Sequence, residues 1–191
     1  MLTTMSDMKD RMLRGEPYRA SDPEIQADQQ RAAELVAAYN GTRPGNVAGR
    51  EEILRELVGE LGEGSVIRPP VQFDYGWQTT IGARTFLNFG AVILDVARVR
   101  IGDDVQIGPN VQLLTPTHPM DPAERADGLE SAEPITIEDR VWLGGGVIVC
   151  PGVRVGAGSV VGAGAVVTRD VPPGVFAAGN PCRVVRELDA N

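Results

Sequence analysis

The sequence is poor in cysteine, histidine and aromatic residues, and these shortages argue against several classes of protein. Its 191 residues include two cysteines, Cys150 and Cys182, which form neither a metal-spaced cluster nor a redox pair and do not indicate a disulfide scaffold. Basic residues number 18 against 26 acidic ones, and the resulting net charge of −8 argues against a nucleic-acid-binding protein.

Long apolar runs are also absent from the sequence. No run approaches the length of a transmembrane helix, and residues 1–14 lack the apolar core that a signal peptide needs. We therefore expect a cytoplasmic protein that does not associate with a membrane. Aromatic residues make up only 5% of the chain while 23 residues are glycine, as expected where thin repeated strands replace a bulky core.

Residues 81–171 carry a repeat of six residues. A branched aliphatic residue, the repeat leader, opens each unit, and the residue four positions later is small or β-branched. Glycine follows the leader directly in half of the units. A period this strict is typical of a solenoid. The leaders are Ile81, Leu87, Ile93, Ile101, Ile107, Leu113, Ile137, Leu143, Val149, Val155, Val161 and Val167.

A six-residue step is long enough for one short strand and one turn. The leader points inward, the small residue four positions later lies inward near a corner, and glycine fits where a side chain would be crowded. Each unit leaves backbone groups unpaired above and below, so the units stabilise one another by stacking as parallel strands. An amphipathic helix would need apolar recurrence at three and four residues. The alternative of a β-sandwich predicts longer alternating strands with variable spacing.

The chain before the repeat is predicted to be helical. Asp22 and Pro23 form a helix start signal, and a second apolar stripe runs from Ile53 to Leu61. We expect these helices to cover one end of the solenoid and protect its exposed strand edge. The predicted organisation is a helical segment at residues 1–64 and a solenoid at residues 65–191, with an inserted loop at 115–134 and a C-terminal tail.

The polar insertion contains the most reactive candidate side chain. His118 is the only histidine of the chain and lies at the start of the insertion, where an imidazole could accept a proton near neutral pH. Glu130, late in the insertion, could orient it. Asn88 stands where other repeats have glycine, and Asp95 follows a leader by two residues. Both could project into a groove beside the insertion, although each could equally be a turn-stabilising side chain.

The end of the repeat carries a local excess of positive charge. Arg169, Arg183 and Arg186 outweigh Asp170 and give a local charge of +2, which suits a phosphorylated ligand, although they could equally be ordinary surface arginines. The glycines of residues 156–164 do not form a dinucleotide-binding loop, because their spacing is the repeat period and no helix follows. Asp103, Asp104 and Asp139 fall at repeat turns and are interpreted as structural.

Several segments together resemble the maltose and galactoside O-acetyltransferases among the hexapeptide-repeat acyltransferases. The N-terminal segment resembles the helical domain that precedes the solenoid in maltose acetyltransferases. The segments that carry the resemblance are residues 15–18, 39–40, 88–95 (NFGAVILD), 107–119, 128–130, 141–146 (VWLGGG), 161–168 and 179–181.

The resemblance implies a left-handed parallel β-helix with three repeats per coil, assembled as a homotrimer with acetyl-CoA between subunits. It implies direct transfer in a ternary complex, with no permanently bound cofactor and no metal. His118 would be the general base, and a backbone N–H near Gly145 would stabilise the oxyanion. The acceptor would be bound by Asn88, Asp95, Glu130 and Asp22, and acetyl-CoA by Trp142, Gly145, Ala163, Thr168, Arg169, Arg183 and Arg186.

The expected reaction is transfer of acetyl from acetyl-CoA to a hydroxyl of a sugar such as maltose, glucose or a galactoside. A second hypothesis is transfer to a non-sugar hydroxyl or an amine, as in serine or antibiotic acetyltransferases; the N-terminal helical segment argues against it. A third is a non-catalytic solenoid similar to carbonic-anhydrase-like proteins that have lost their metal. That fold family binds zinc through several histidines, whereas this chain has one.

Overall fold

The computed structural model describes residues 7–189, which form a parallel β-solenoid of about six turns preceded by three helices. The prediction of a mainly β solenoid with an N-terminal helical segment is confirmed. The N-terminal elements are α1 (Asp7–Leu13), β1 (Tyr18–Arg19), α2 (Pro23–Asn40) and α3 (Val47–Leu57).

Each coil of the solenoid contributes one strand to each of three faces. The first three coils contain β2 (Glu60–Leu61), β3 (Val66–Ile67), β4 (Val71–Phe73), β5 (Thr79–Ile81), β6 (Phe86–Leu87), β7 (Ala91–Leu94), β8 (Val99–Ile101), β9 (Gln106–Ile107) and β10 (Gln112–Leu114). The insertion contains β11 (Pro116–Thr117), α4 (Pro122–Ala126) and β12 (Leu129–Ala132). The later coils contain β13 (Ile135–Ile137), β14 (Trp142–Leu143), β15 (Ile148–Val149), β16 (Arg154–Val155), β17 (Val160–Val161), β18 (Val166–Val167), β19 (Val175–Ala178) and β20 (Arg183–Glu187).

The strands stack in three sheets. The first face is ordered β2-β5-β8-β13-β16, the second β3-β6-β9-β14-β17-β19-β20 and the third β4-β7-β10-β15-β18. Neighbouring strands are parallel except for β19 and β20, which form an antiparallel hairpin. Before the insertion a coil takes 20 residues, since Thr80 pairs with Arg100, and after it a coil takes 18, since Trp142 pairs with Val160.

The repeat predicts the core correctly. All twelve leaders are buried inside the solenoid. Most residues four positions after a leader are buried as well, but Ala97 and Thr117 are only half-buried. Both exceptions lie at the corner that follows the third face, where the insertion leaves the solenoid.

Crowding explains the glycines that follow the leaders. A Cβ at Gly144 would stand 2.6 Å from the backbone nitrogen of Ala163 in the next coil, and one at Gly108 would stand 2.6 Å from that of Gly145. Real Cβ atoms do not approach backbone so closely, so adjacent coils can stack at these corners only without a side chain.

Carboxylates at the corners connect successive coils. Asp103 accepts a hydrogen bond from the Ala83 N–H (2.9 Å), and Asp139 accepts one from the Asp103 N–H (3.0 Å). These side chains satisfy backbone donors that a turn leaves without a ladder partner. The structural interpretation of Asp103 and Asp139 is therefore confirmed.

The N-terminal helices cover the first coil. The Asn40 side chain at the end of α2 donates to the Val71 carbonyl (2.8 Å) and accepts from the Val71 N–H (2.9 Å), in the manner of a neighbouring strand. The Tyr39 hydroxyl donates to the Ile67 carbonyl. The expected protection of the strand edge is thus provided by two side chains.

The second predicted helical stripe ends earlier than its apolar pattern suggests. Helix α3 stops at Leu57, and Val58 is extended as its C-cap. Leu61 lies in β2, where it pairs with Ile81 of the next coil. Its inclusion in the helix was wrong, because a buried leucine fits a helical stripe and a repeat leader equally well. In residues 7–189 no helix has both the length and the apolarity needed to span a bilayer.

Candidate active site

The insertion is held by a small antiparallel sheet outside the solenoid. Its order is β1-β12-β11, so the N-terminal strand β1 pairs with the late strand of the insertion. Tyr18 lies opposite Glu130, and Thr117 lies opposite Ser131. His118 directly follows β11 and is exposed. The only histidine of the sequence is therefore presented to solvent at the end of β11, the edge strand that pairs with β12.

Glu130 is half-buried in β12 and is already held by another side chain. Its Oε2 atom accepts a hydrogen bond from the Tyr18 hydroxyl at 2.9 Å. The predicted orientation of His118 by Glu130 stays a prediction, and Tyr18 is a residue that the sequence reasoning missed. Its signal was weak, because nothing in the sequence relates positions that are 112 residues apart.

Asp95 does not project outward as predicted. The side chain is fully buried, and its carboxylate accepts hydrogen bonds from the N–H groups of Tyr75 (2.9 Å) and Gly76 (3.1 Å) and from the Thr79 hydroxyl (2.9 Å). Burial raises its pKa, although these hydrogen bonds oppose the shift. Its expected role in acceptor binding is corrected to the turn-stabilising alternative, since it satisfies the turn of the preceding coil.

Asp22 also has a structural role. Its Oδ1 atom accepts hydrogen bonds from the N–H groups of Glu24 (3.0 Å) and Ile25 (3.4 Å), which makes it the N-cap of α2. The predicted helix start is confirmed. Capping engages the Oδ1 atom of Asp22, and its predicted role in acceptor binding stays a prediction.

Asp74 is a further acidic residue close to the insertion, and it was not among the site residues predicted from the sequence. Burial raises its pKa to about 6, and the nearby carboxylates of Asp95 and Glu130 act in the same direction. The corner after the third face therefore concentrates negative charge close to β12.

We expect Asp74→Asn to stabilise the protein at pH 8 by about 1–3 kcal/mol and to leave its stability almost unchanged at about pH 3. The raised pKa means that the folded chain binds the proton more tightly than the unfolded chain. At a pH below the ordinary pKa of the group, Asp74 is protonated in both the folded and the unfolded chain and the protein keeps its full stability. That stability is lost as the pH rises through about 6, because the buried carboxyl must then ionise. Urea unfolding at both pH values measures the effect, and Asp170→Asn, at an exposed corner, is the control. An equal gain at both pH values would contradict the assignment.

A cleft of about 430 Å³ runs along the second face of the solenoid. Trp142 is 56% exposed there, on the outward side of β14. Gly145 and Ala163 lie at the corner after this face, in two successive coils. Most of the lining residues that sequence reasoning missed are outward strand residues or corner residues next to them, and the buried leaders Ile107 and Val161 also border the cleft. The cleft is lined by Phe86, Asn88, Gln106, Ile107, Gly108, Pro109, Trp142, Gly144, Gly145, Val160, Val161, Gly162, Ala163 and Phe176.

The cleft brings together only part of the predicted site. Asn88, Trp142, Gly145 and Ala163 all line it, whereas His118 does not. Asn88 lies at the corner after the second face, and the insertion that presents His118 leaves from the corner after the third face. One chain therefore presents the candidate base and the candidate cleft on different sides of the solenoid.

The predicted arginines lie around the C-terminal hairpin. Arg169 and Arg183 line a small cavity of about 130 Å³, and the Arg186 guanidinium lies 6.0 Å from the ring centre of Phe176, which also lines the cleft. Thr168 is exposed just after β18. Within residues 7–189 none of these arginines forms an ion pair, and Arg186 is the one that lies beside a residue of the cleft.

The Gly145 N–H is a candidate anion-stabilising group. Among residues 7–189 no acceptor lies within hydrogen-bond distance of it, although the neighbouring N–H groups of Gly144 and Gly146 donate to Val161 and Pro109 carbonyls. A free backbone donor in a cleft can stabilise negative charge that develops on a reacting oxygen. In the same part of the chain no group of three acidic, histidine or cysteine side chains could hold a metal ion.

Two family models match the chain. Residues 11–62 match the maltose acetyltransferase hexapeptide capping motif, and residues 134–169 match six repeats of the bacterial transferase hexapeptide. The fold and the cleft thus define a hexapeptide-repeat transferase.

Solved structures of similar proteins show which group of hexapeptide-repeat transferases the chain resembles. A maltose O-acetyltransferase from Clostridium difficile 630 is 38% identical with a TM-score of 0.95, covering 98% of this chain and 100% of that one. A galactoside acetyltransferase solved with coenzyme A is 39% identical with a TM-score of 0.93, covering 97% and 92%. The chain belongs to the family of hexapeptide-repeat acetyltransferases that includes these enzymes.

Nodulation protein L of Rhizobium meliloti (strain 1021) has higher identity over a shorter region. It is 52% identical over 95 residues, which are 50% of this chain and 52% of that protein. The match therefore spans about half the length of that relative.

Proposed function

We propose that the protein is an acetyl-CoA-dependent O-acetyltransferase that acts on a hydroxyl of a sugar. The observation that carries the proposal is the cleft of the second face, where glycine and alanine leave room beside Trp142 and Arg186 lies beside Phe176. A pantetheine arm can lie flat against glycine and alanine, which have little or no side chain, and guanidinium groups suit the phosphates of coenzyme A.

The complete site is proposed to form between two copies of the chain. His118 is exposed on one side of the solenoid and the cleft lies on another, so neither half is complete within one chain. A homotrimer with cyclic symmetry would let the insertion of each subunit close the cleft of its neighbour.

The chemistry assigned to these residues is a direct transfer in one ternary complex. His118 removes the proton of the acceptor hydroxyl as its oxygen attacks the thioester carbonyl carbon. The Gly145 N–H stabilises the negative charge on the carbonyl oxygen. The carbon–sulfur bond then breaks, and the imidazolium of His118 returns the proton to the leaving coenzyme A thiolate.

The remaining predicted residues are assigned to the two substrates. Asn88, at the edge of the cleft, and Glu130, beside β11, bind the acceptor, and Glu130 also orients His118. The residues proposed to contact coenzyme A are Trp142, Gly145, Ala163 and Thr168, with Arg169, Arg183 and Arg186 at its phosphates.

An acceptor panel tests the proposed function. Purified protein is incubated with acetyl-CoA and one acceptor at a time, and release of the free thiol is followed. We expect turnover with maltose, glucose or a galactoside above the rate without an acceptor. Turnover only with serine or an amine would support the alternative enzyme class. Absence of acetyl-CoA binding in calorimetry would support a non-catalytic solenoid.

A further inference from the structure

The small sheet outside the solenoid aligns three side chains of different chemistry. In β1 and β12, Tyr18 lies opposite Glu130. In β11 and β12, Pro116 lies opposite Ala132 and Thr117 opposite Ser131. His118 follows the last paired residue of β11, and continuation of this register would set it opposite Glu130. Directly opposed residues of antiparallel strands point to the same side of the sheet, with Cβ atoms about 4.5–5.5 Å apart. On this register, Tyr18, Glu130 and His118 are expected to lie in one row, with His118 just beyond the end of β11.

Tyr18 is the fixed end of this row. It is 1% exposed and packs in a cluster of buried side chains with Met12, Ile25 and Tyr75, so its ring has little freedom. Its hydroxyl donates to Glu130 Oε2 at 2.9 Å. Burial raises the pKa of Tyr18, and the Glu130 carboxylate raises it further, so the hydroxyl keeps its proton and remains a donor.

Glu130 has a second oxygen available for another donor. Among residues 7–189 no donor lies within hydrogen-bond distance of its Oε1 atom, while Oε2 is held by Tyr18. A carboxylate that is fixed through one oxygen has a defined direction for the other. Such a fixed acceptor can select the ring orientation and tautomer of an adjacent histidine.

A second link keeps the strands of the row together. The Arg19 guanidinium pairs with the Asp127 carboxylate and also donates through Nε to the Asp127 carbonyl at 3.3 Å. This link is exposed and joins β1 to the segment just before β12, outside the row itself. The Asp74 carboxylate is a nearby group of like charge, since both Glu130 and Asp95 raise its pKa, and it repels Glu130 rather than pairs with it.

We propose that Tyr18 is a positioning residue. Its hydroxyl fixes Glu130, and the other oxygen of Glu130 holds His118 in the orientation in which it can remove the proton of the acceptor hydroxyl. The N-terminal segment thereby sets the geometry of the catalytic base in addition to covering the solenoid. This inference rests on the proposed function of His118.

Tyr18→Phe tests the inference, because it removes the hydroxyl and keeps the ring in the core. We expect kcat to fall about 5–10-fold with the KM for acetyl-CoA unchanged, since the cleft lies on another face. In a Glu130→Ala background the same substitution is expected to change kcat by less than about 2-fold, because Tyr18 acts through Glu130. A loss of equal size in both backgrounds would show a general structural role and overturn the proposal.

Tyr75→Phe is the matched control. Tyr75 is fully buried in the same cluster, and among residues 7–189 its hydroxyl has no hydrogen-bond partner. Its removal is expected to leave kcat unchanged. A similar loss in both tyrosine variants would also overturn the proposal, because it would trace the effect to the core.

A spectroscopic readout separates this inference from the proposed function. His118 is the only histidine of the sequence, so its imidazole resonances in an NMR spectrum are unambiguous. We expect them to shift in Tyr18→Phe, to shift in the same direction in Glu130→Ala, and to match the wild type in Tyr75→Phe. If His118→Ala loses turnover but the His118 resonances of Tyr18→Phe match the wild type, the role of Tyr18 is wrong and the role of His118 stands. If Tyr18→Phe shifts the resonances but the wild-type protein shows no turnover, the proposed reaction is wrong and the link from Tyr18 to His118 stands.

Discussion

Replacing His118 with alanine is expected to lower kcat by about 10²–10⁴-fold while the fold stays intact, because this is the usual contribution of a general base. The side chain is exposed and contributes nothing to the buried core, so the melting temperature should stay unchanged. Steady-state thiol release with the best acceptor measures kcat. The KM for acetyl-CoA should hardly change, since the proposed role of His118 is to remove the proton of the acceptor hydroxyl rather than to bind acetyl-CoA.

Met120→Ala provides the control for this experiment. Met120 is 95% exposed in the same insertion, two residues from His118, so its truncation reports any disturbance of the loop itself. We expect it to retain the wild-type kcat. If His118→Ala retained it as well, the assigned mechanism would be wrong.

Two inactive variants are expected to restore activity when they assemble together. His118→Ala removes the base but keeps the cleft, and Ala163→Trp fills the cleft but keeps the insertion. Ala163 is exposed, so the larger side chain does not enter the core. If each site combines the insertion of one subunit with the cleft of another, a mixed oligomer contains sites in which both halves are intact.

The expected size of the recovery follows from random assembly. In an equal mixture, half of the subunits supply an intact insertion and half an intact cleft, so about one quarter of the sites are complete. We therefore expect about 25% of wild-type activity after joint refolding, compared with almost none for either variant alone. Thiol release measures it.

Two controls make the outcome decisive. Ala157→Trp places the same side chain at the same repeat position on another corner, and it should be fully active alone. Oligomers of the two inactive variants that are mixed without refolding should stay inactive. No recovery after joint refolding would show that each chain completes its own site.

The regular part of the solenoid could be predicted from the sequence because each position has one dominant requirement. A leader such as Val155 must fill the interior. Gly144 lies so close to the backbone of Ala163 in the next coil that it leaves no room for a Cβ. These requirements recur every six residues, and repetition makes them visible. Leu61 was misplaced because it belongs to the first coil, which has no preceding repeat for comparison.

The polar residues were harder to predict because their environment is set by neighbouring coils. Asp95 follows a leader in the same way as several exposed residues, yet the backbone N–H groups of an adjacent turn draw it inside. The row of Tyr18, Glu130 and His118 depends on pairing between strands that are far apart in sequence, which no local pattern encodes. Trp142 and Ala163 were identified through family resemblance, and the structure places them in one cleft.

The pairing of β1 with β12 has a consequence for biosynthesis. Tyr18 is synthesised 112 residues before its partner Glu130, so β1 leaves the ribosome long before the strand that it binds. Domains generally fold in the order of synthesis, and the first three coils can therefore stack while the insertion is still incomplete. The candidate base can reach its final geometry only after β12 has emerged. A nascent chain shorter than this would have much of its framework and no working site.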